Sequence, residues 1–254
     1  MQEFLDTARR AAAAASVPIL EYYHGSFEVE TKADRTPVTA ADREAEHAIR
    51  DVLRAAFPDH GIHGEELGVE GAQADYLWLV DPIDGTKSFV RGYGMFSTQI
   101  ALMHAGVIVV GVSSAPVAGE TAWALRGGGA WLDGERLAVS AIDALGQASV
   151  STGNIGSLAA SGRWAALGQI LAGADRTRGY GDYYHYHRLA AGQIDAVIES
   201  DVDILDIAAV SLLVQEAGGV FTDLEGEPVG MQTRSVLAAN PGLHGQLLAL
   251  LNPN

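Results

Sequence analysis

No cysteine occurs anywhere in the chain. A disulfide framework and thiolate metal ligation are both excluded, so any metal must be held by oxygen or imidazole. Such donors favour hard ions, Mg²⁺ or Mn²⁺. Basic residues are scarce: 16 Lys and Arg stand against 32 Asp and Glu, for a formal net charge of −16. Without a Lys/Arg-rich run there is no electrostatic footprint for a nucleic-acid backbone, and no nucleic-acid partner is expected. Proline is sparse, with 8 residues against 30 glycines, which suggests many tight turns between regular elements. No run of 18 apolar residues exists, so nothing is expected to span a membrane. The N-terminus carries Glu3 and Asp6 where an export signal would be basic, and the run from Ala11 to Ala15 is short. These absences lead us to expect a soluble, cytoplasmic protein.

What is present is ample apolar material: 254 residues, 48% of them hydrophobic, enough for a substantial core. Phe4, Leu5, Ala8, Ala12, Ala15 and Ile19 recur at helical spacing, with Pro18 expected to end or kink that helix. A second helix is predicted from near Thr39, burying Ala41, Ala45, Ile49, Val52 and Leu53. Tyr76 to Val80 reads as a buried strand running into a polar turn at 81–86. Residues 98–103 and 107–113 read as a hairpin, and Trp123 as part of a third strand. From about Ala148 strands and helices alternate: strands at 148–151, 194–198 and 220–222, helices at 181–191, 204–214 and 243–251. Strands first and αβ alternation afterwards suggest an α+β lobe over about 1–140 joined to an α/β lobe over about 141–254. No linker separates them, so they are expected to pack as one unit.

The segment richest in chemistry is Trp78-Leu-Val-Asp81-Pro-Ile-Asp84-Gly-Thr86. Pro82 fixes φ and Gly85 permits a turn that other residues resist, so Asp81, Asp84 and the Ile83 carbonyl can face one site. That is an oxygen shell suited to Mg²⁺, although an ordinary capping turn would look similar. Further acids lie nearby in kind. Glu65 and Glu66 are adjacent, so at most one is expected to join a given ion. Asp206 sits among Ile204, Leu205, Ile207 and Ala208, where a charge is costly unless paired, metal-bound or capping a helix. Thr39 and Asp42 have the spacing of a capping box.

Taken together, Asp81-Pro-Ile-Asp-Gly-Thr86 with Phe89 resembles the signature of the inositol monophosphatase-like family of Mg²⁺-dependent, lithium-sensitive phosphatases. The resemblance covers essentially the whole chain. It includes Thr36-Pro-Val-Thr-Ala-Ala-Asp42, Gly64-Glu-Glu66, the 127–131 turn and Glu216-Ala-Gly-Gly219. It implies a single domain, residues 1–254, folded as a layered αβαβα sandwich of the type shared with fructose-1,6-bisphosphatases. It implies two or three ions, with Glu65, Asp81 and the Ile83 carbonyl on the first and Asp81, Asp84 and Asp206 on the second. Glu65 would also orient a further ion or the attacking water, which Asp42 and Thr86 would help deprotonate. Gly85 and Thr86 would bind the phosphate. Leu205 departs from the family's usual Trp. Homodimers are common in the family.

Within the family, Lys87-Ser-Phe-Val-Arg91-Gly92 and Arg178-Gly-Tyr-Gly-Asp182-Tyr-Tyr-His-Tyr186 resemble the histidinol-phosphate phosphatase branch. Asp182 and Glu199 would then face a cationic substrate, although Asp182 could equally serve as the N-cap of the following helix. His185 and His187, two apart on a helix, face different ways and are read as packing residues. The alternatives are a phosphatase of inositol monophosphate, a nucleotide 3′-phosphate or a sugar bisphosphate. A member that binds phosphate without turnover is the reading of another class.

Overall fold

The computed structural model describes residues 1–25, 29–31 and 37–253. Thr36, at the start of one quoted motif, lies outside them. The chain opens with helix α1 (Gln2–His24), a short antiparallel pair β1 (Val29–Thr31) and β2 (Pro37–Thr39), and helix α2 (Ala40–Ala56). The first large sheet comprises β3 (Gly61–Gly64), β4 (Gly68–Glu70) and β5 (Tyr76–Asp84), then, after the short helix α3 (Thr86–Val90), β6 (Ser97–His104), β7 (Val107–Ala115), β8 (Glu120–Leu125), β9 (Gly129–Leu132) and β10 (Glu135–Arg136). Its eight strands run in the order β10-β9-β8-β7-β6-β5-β3-β4, antiparallel except where β3 meets β5.

The second half begins with β11 (Ser149–Gly153), α4 (Ile155–Ala160), α5 (Trp164–Gly173), β12 (Arg176–Arg178) and α6 (Asp182–Ala190). It continues through β13 (Ala196–Ser200), α7 (Ile204–Glu216), β14 (Val220–Thr222), β15 (Ser235–Ala239) and α8 (Pro241–Leu251). The five-stranded sheet has the order β12-β11-β13-β15-β14, parallel through β13 and antiparallel beyond it.

Strand periodicity makes the layers. Trp78 and Val80 of β5 pack against Ala8, Ala12 and Ile49 of α1 and α2, whereas Leu79 faces Ala208 and Leu212 of α7. Val197 of β13 turns to that same central α layer, and its neighbours Ala196 and Ile198 meet α5 and α8 through Leu167 and Leu243. The result is the αβαβα sandwich. Helix α7 is buried on nearly all sides, and a helix apolar all round belongs in such a central layer. No helix among the described residues is long and apolar enough to cross a membrane.

Two local expectations are corrected. Helix α1 runs through Pro18 to His24, so Pro18 does not end it. Pro18 removes one N–H, but Ala15 and Ile19 on either side are fully buried and hold the helix to the core, while the carbonyl left unpaired belongs to the partly exposed Ala14. Second, β5 does not stop at Val80 but carries both motif aspartates to Asp84.

Candidate active site

Residues three apart on a regular strand point to opposite faces, so Asp81 and Asp84 could not share a site on an unbroken β5. The pairing resolves this. Asp81 stands opposite Gln99 and Asp84 opposite Ser97, so three steps on β5 match two on β6 and one residue is bulged out. The bulge turns both carboxylates to one side. Thr98 Oγ1 holds the bulge by donating to the Pro82 carbonyl at 2.9 Å, and the Ile83 N–H donates to Asp81 Oδ1 at 2.9 Å. Gly85 follows at φ +92, and a Cβ there would lie 2.8 Å from the Met95 carbonyl oxygen. Only glycine suits that turn into α3.

The third acid arrives from the other sheet. Asp206 lies in the first turn of α7, and carboxylate oxygens of Asp81, Asp84 and Asp206 come within 4.8 Å of one another. Asp206 caps the helix, and the same carboxylate stands where it could also join a metal. Its Oδ2 accepts from the Asp203 N–H at 2.8 Å while Asp203 Oδ1 accepts from the Leu205 N–H at 2.7 Å, a reciprocal capping box. Leu205 itself is buried in the central core.

The crowding is visible in the acidities. Burial, then Glu65, Asp84 and Asp206, raises the Asp81 pKa well above the carboxylate range. Burial, then Asp182 and Asp206, does the same to Asp84. Asp206 is pushed up to about 7 by burial and by Asp203. Like charges gathered away from water behave this way until a cation joins them. The donor set, all hard oxygens at short mutual range, fits Mg²⁺ or Mn²⁺.

The remaining predicted residues surround this trio. Glu65 follows β3 in the 65–67 turn, its N–H donating to the Val80 carbonyl at 3.1 Å. Its carboxylate is hydrogen-bonded to that of Asp81 but stands outside the compact trio. Thr86 Oγ1 lies 3.2 Å from Asp42 Oδ1 and 3.0 Å from the Ile83 carbonyl oxygen. Asp42 forms the expected box with Thr39, whose N–H and hydroxyl both donate to Oδ2 at 2.7 and 2.6 Å. That leaves Oδ1 directed at Thr86. Burial raises the Asp42 pKa, against the opposing bonds from Thr39.

Asp182, Glu199 and Tyr186 line one small pocket together with Asp84 and Asp206. Asp182 is not the N-cap of α6. Gly181 occupies that position and makes no side-chain cap bond, while Asp182 is the first helical residue, at φ +48. Its carboxylate accepts from the Ser88 hydroxyl instead, and burial with the nearby Glu199 raises its pKa to about 6. A non-glycine residue held at positive φ beside a pocket is strain of the kind functional sites store. His185 and His187 diverge as expected. His185 Nε2 lies 3.1 Å from Glu199 Oε2, and His187 Nε2 lies 2.8 Å from Ser113 Oγ.

Sequence reasoning passed over Tyr186, Glu46 and Arg50, all buried. The helical period could have found the last two, because Asp42, Glu46 and Arg50 fall at four-residue steps beside the apolar positions of α2. The 127–131 turn and the Glu216–Gly219 motif prove to be one structure: the Glu216 carboxylate accepts from the N–H groups of Gly127 and Gly129 at 2.8 and 2.9 Å. A wide concavity between α1 and the β7–β8 turn, where Arg9 stacks 4.0 Å above the Trp123 ring, contains none of the clustered acids.

Known proteins resemble this arrangement along its whole length. The chain is 38% identical to a histidinol-phosphatase of Streptomyces coelicolor over 99% of both proteins. It is 40% identical to a histidinol-phosphatase of Mycobacterium tuberculosis over 88% of each. The solved structure of the extragenic suppressor protein suhB from Bartonella henselae matches with a TM-score of 0.90 at 31% identity, covering 99% of both chains. The family model described as the inositol monophosphatase family matches residues 1–254, and the chain belongs to that family.

Proposed function

We propose that this phosphatase-family protein hydrolyses histidinol phosphate to histidinol and phosphate, a step of histidine biosynthesis, by direct attack of water. The observation that carries the substrate choice is the surplus of acid in the pocket. Beyond Asp84 and Asp206 of the trio, two more carboxylates, Asp182 and Glu199, line the same small pocket. Histidinol phosphate carries an ammonium and an imidazole at the end away from the phosphate. Burial, and next the nearby Glu199, push Asp182 to about 6, and a cation there would offset both. A neutral polyol would bring no cation to that carboxylate and would leave it with the Ser88 hydroxyl and the surrounding protein charges alone. The two curated relatives named above carry the same activity in their names.

A phosphate monoester dianion repels nucleophiles, and its alkoxide leaves poorly. Divalent ions held by Glu65, Asp81, Asp84, Asp206 and the Ile83 carbonyl would neutralise that charge and acidify a water. The chain's own groups supply the rest. Thr39 fixes one oxygen of Asp42, so the other can take the Thr86 hydroxyl proton as Thr86 accepts one from water. Gly85 and Thr86 offer backbone N–H groups to the phosphate. Asp182 and Glu199 hold the cationic end. The protein would act in the cytoplasm, and as a homodimer if it follows the family habit.

The test compares histidinol phosphate with inositol 1-phosphate on wild type and Asp182→Asn. An ammonium beside a partly desolvated carboxylate gains about 1.5–3 kcal/mol. Wild type should prefer the cationic ester in kcat/KM, and Asp182→Asn should erode that preference by about tenfold or more. Equal slowing of both esters would make Asp182 structural. A preference for inositol 1-phosphate, a nucleotide 3′-phosphate or a sugar bisphosphate would replace the substrate. Release from none of them would favour a phosphate-binding protein without turnover.

A further inference from the structure

Asp42, Glu46 and Arg50 stand one helical turn apart on a single face of α2, at 0, 0 and 2% exposure. Asp42 reaches Thr86. Glu46 and Arg50 reach a different element, the turn that carries Glu65. Glu46 Oε2 accepts from the Glu66 N–H at 2.7 Å, and the Leu67 N–H lies 3.3 Å from both carboxylate oxygens. Arg50 Nε donates to Glu46 Oε1 at 2.7 Å, and its Nη2 donates to the Gly68 carbonyl at 2.5 Å. Gly64 is pressed onto the same carboxylate, for a Cβ there would lie 1.9 Å from Glu46 Oε1. Glu65 thus has α2 against the residue before it and a charged acceptor on the N–H of the residue after it.

A buried glutamate paired with a buried arginine is weak evidence for stability, because desolvation offsets most of the attraction and apolar side chains fill such space as well. What an apolar pair cannot do is grip two consecutive backbone N–H groups of an exposed turn and fix its register. We propose that Glu46 is a positioning residue: by clamping the 64–67 turn to α2 it holds the Glu65 carboxylate against Asp81, and so sets the affinity of the acidic site for divalent metal. The proposal rests on reading Glu65 as a metal ligand.

Calorimetric titration of the metal-free full chain with Mn²⁺ alone tests this, alongside the metal-free melting temperature. Partners that orient a ligand typically govern metal affinity by about 10–100-fold. Glu46→Gln removes the charged acceptor, while Glu46→Asp keeps the charge but withdraws it from the turn. Each should raise the Mn²⁺ Kd at least about tenfold, as should Glu65→Gln. The Glu46→Gln/Glu65→Gln pair should bind no more weakly than Glu65→Gln, since both act through one ligand. A lowered melting temperature with unchanged Kd in the Glu46 variants, while Glu65→Gln shifts it, would overturn the proposal and leave Glu46 a structural residue. An unchanged Kd in Glu65→Gln would instead remove the ligand reading beneath it. If Glu46→Gln does not fold, Glu46→Asp decides alone.

Discussion

The Tyr186 hydroxyl donates to Glu199 Oε2, the oxygen that also faces the buried ring of His185. Burial, then Glu199, holds the Tyr186 pKa well above its ordinary value, so the phenol keeps its proton and remains the donor. Tyr186→Phe keeps the ring and removes that bond. A lost hydrogen bond to a buried charge should lower stability by about 1.5–3 kcal/mol, read from urea unfolding. KM for histidinol phosphate should rise severalfold with kcat little changed. Unaltered KM would show that Glu199 needs no such anchor.

The carboxylates should differ in weight. Asp81→Asn should abolish turnover, because the group proposed to serve both ions is lost while the bulge survives. Glu65→Gln should be severe and Glu66→Gln mild. Chelator should remove activity, and lithium should inhibit by occupying part of the divalent site. Steady-state kinetics with graded Mg²⁺ check each point. A lethal Glu66→Gln beside a harmless Glu65→Gln would reverse the assignment within the pair.

Thr86 and Asp42 should act as one unit. Thr86→Val removes the hydroxyl that links Asp42 Oδ1 to the proposed water and should lower kcat by about 10²–10⁴-fold. Thr86→Ser should retain most activity. Adding Asp42→Asn to Thr86→Val should cost little more, because residues that act together are not additive.

Metal-free protein should lose stability as pH rises. Asp206 and Asp182 titrate at about 7 and about 6 when folded, raised first by burial and next by Asp203 and Glu199 respectively. An unfolded Asp titrates near 4, so between about pH 4 and 7 the folded chain holds more protons than the unfolded one. The stabilisation from these two groups is complete below the unfolded value and is lost as pH climbs through the folded ones. In chelator, the melting temperature should therefore fall from about pH 5 to 8. Added Mg²⁺ should stabilise most at the alkaline end, where it no longer competes with protons. A metal-free melting temperature that rose over this range would contradict the assignment.

How far the sequence could be read depended on the scale of the signal. Helices α2 and α7 were legible because cap residues and apolar periods coincide over many residues, from Thr39 and Asp203 onward. The hairpin of β6 and β7 was legible through its alternation and tight turn. Strands β3 and β15 were not: Gly61 to Gly64 is four residues flanked by glycine, and Ser235 to Ala239 contains a single β-branched residue. At the site, Asp81, Asp84 and Asp206 could be named from motif and apolar context. The bulge that unites the first two could not, since it belongs to the pairing with β6. Asp182 misled because a capping residue and the first residue of a helix differ only in backbone angle. Glu46 escaped because α2 was read for its apolar positions alone, although Asp42, Glu46 and Arg50 fall on the same face at four-residue steps.

The bulge between Asp81 and Asp84 makes the acidic site a matter of parity. Two carboxylates an odd number of steps apart share a face only because one residue is counted on β5 and skipped on β6. Removing Ile83 would restore a regular ladder, yet the acids would then be two apart and still face one way, closer and without the Ile83 carbonyl between. Inserting one into β6 opposite the bulge would restore the ladder with the acids three apart, and would send Asp84 to the far side of the sheet. The site therefore tolerates shortening better than realignment. A β5 segment exchanged between relatives carries its chemistry only if residues 97–99 travel with it.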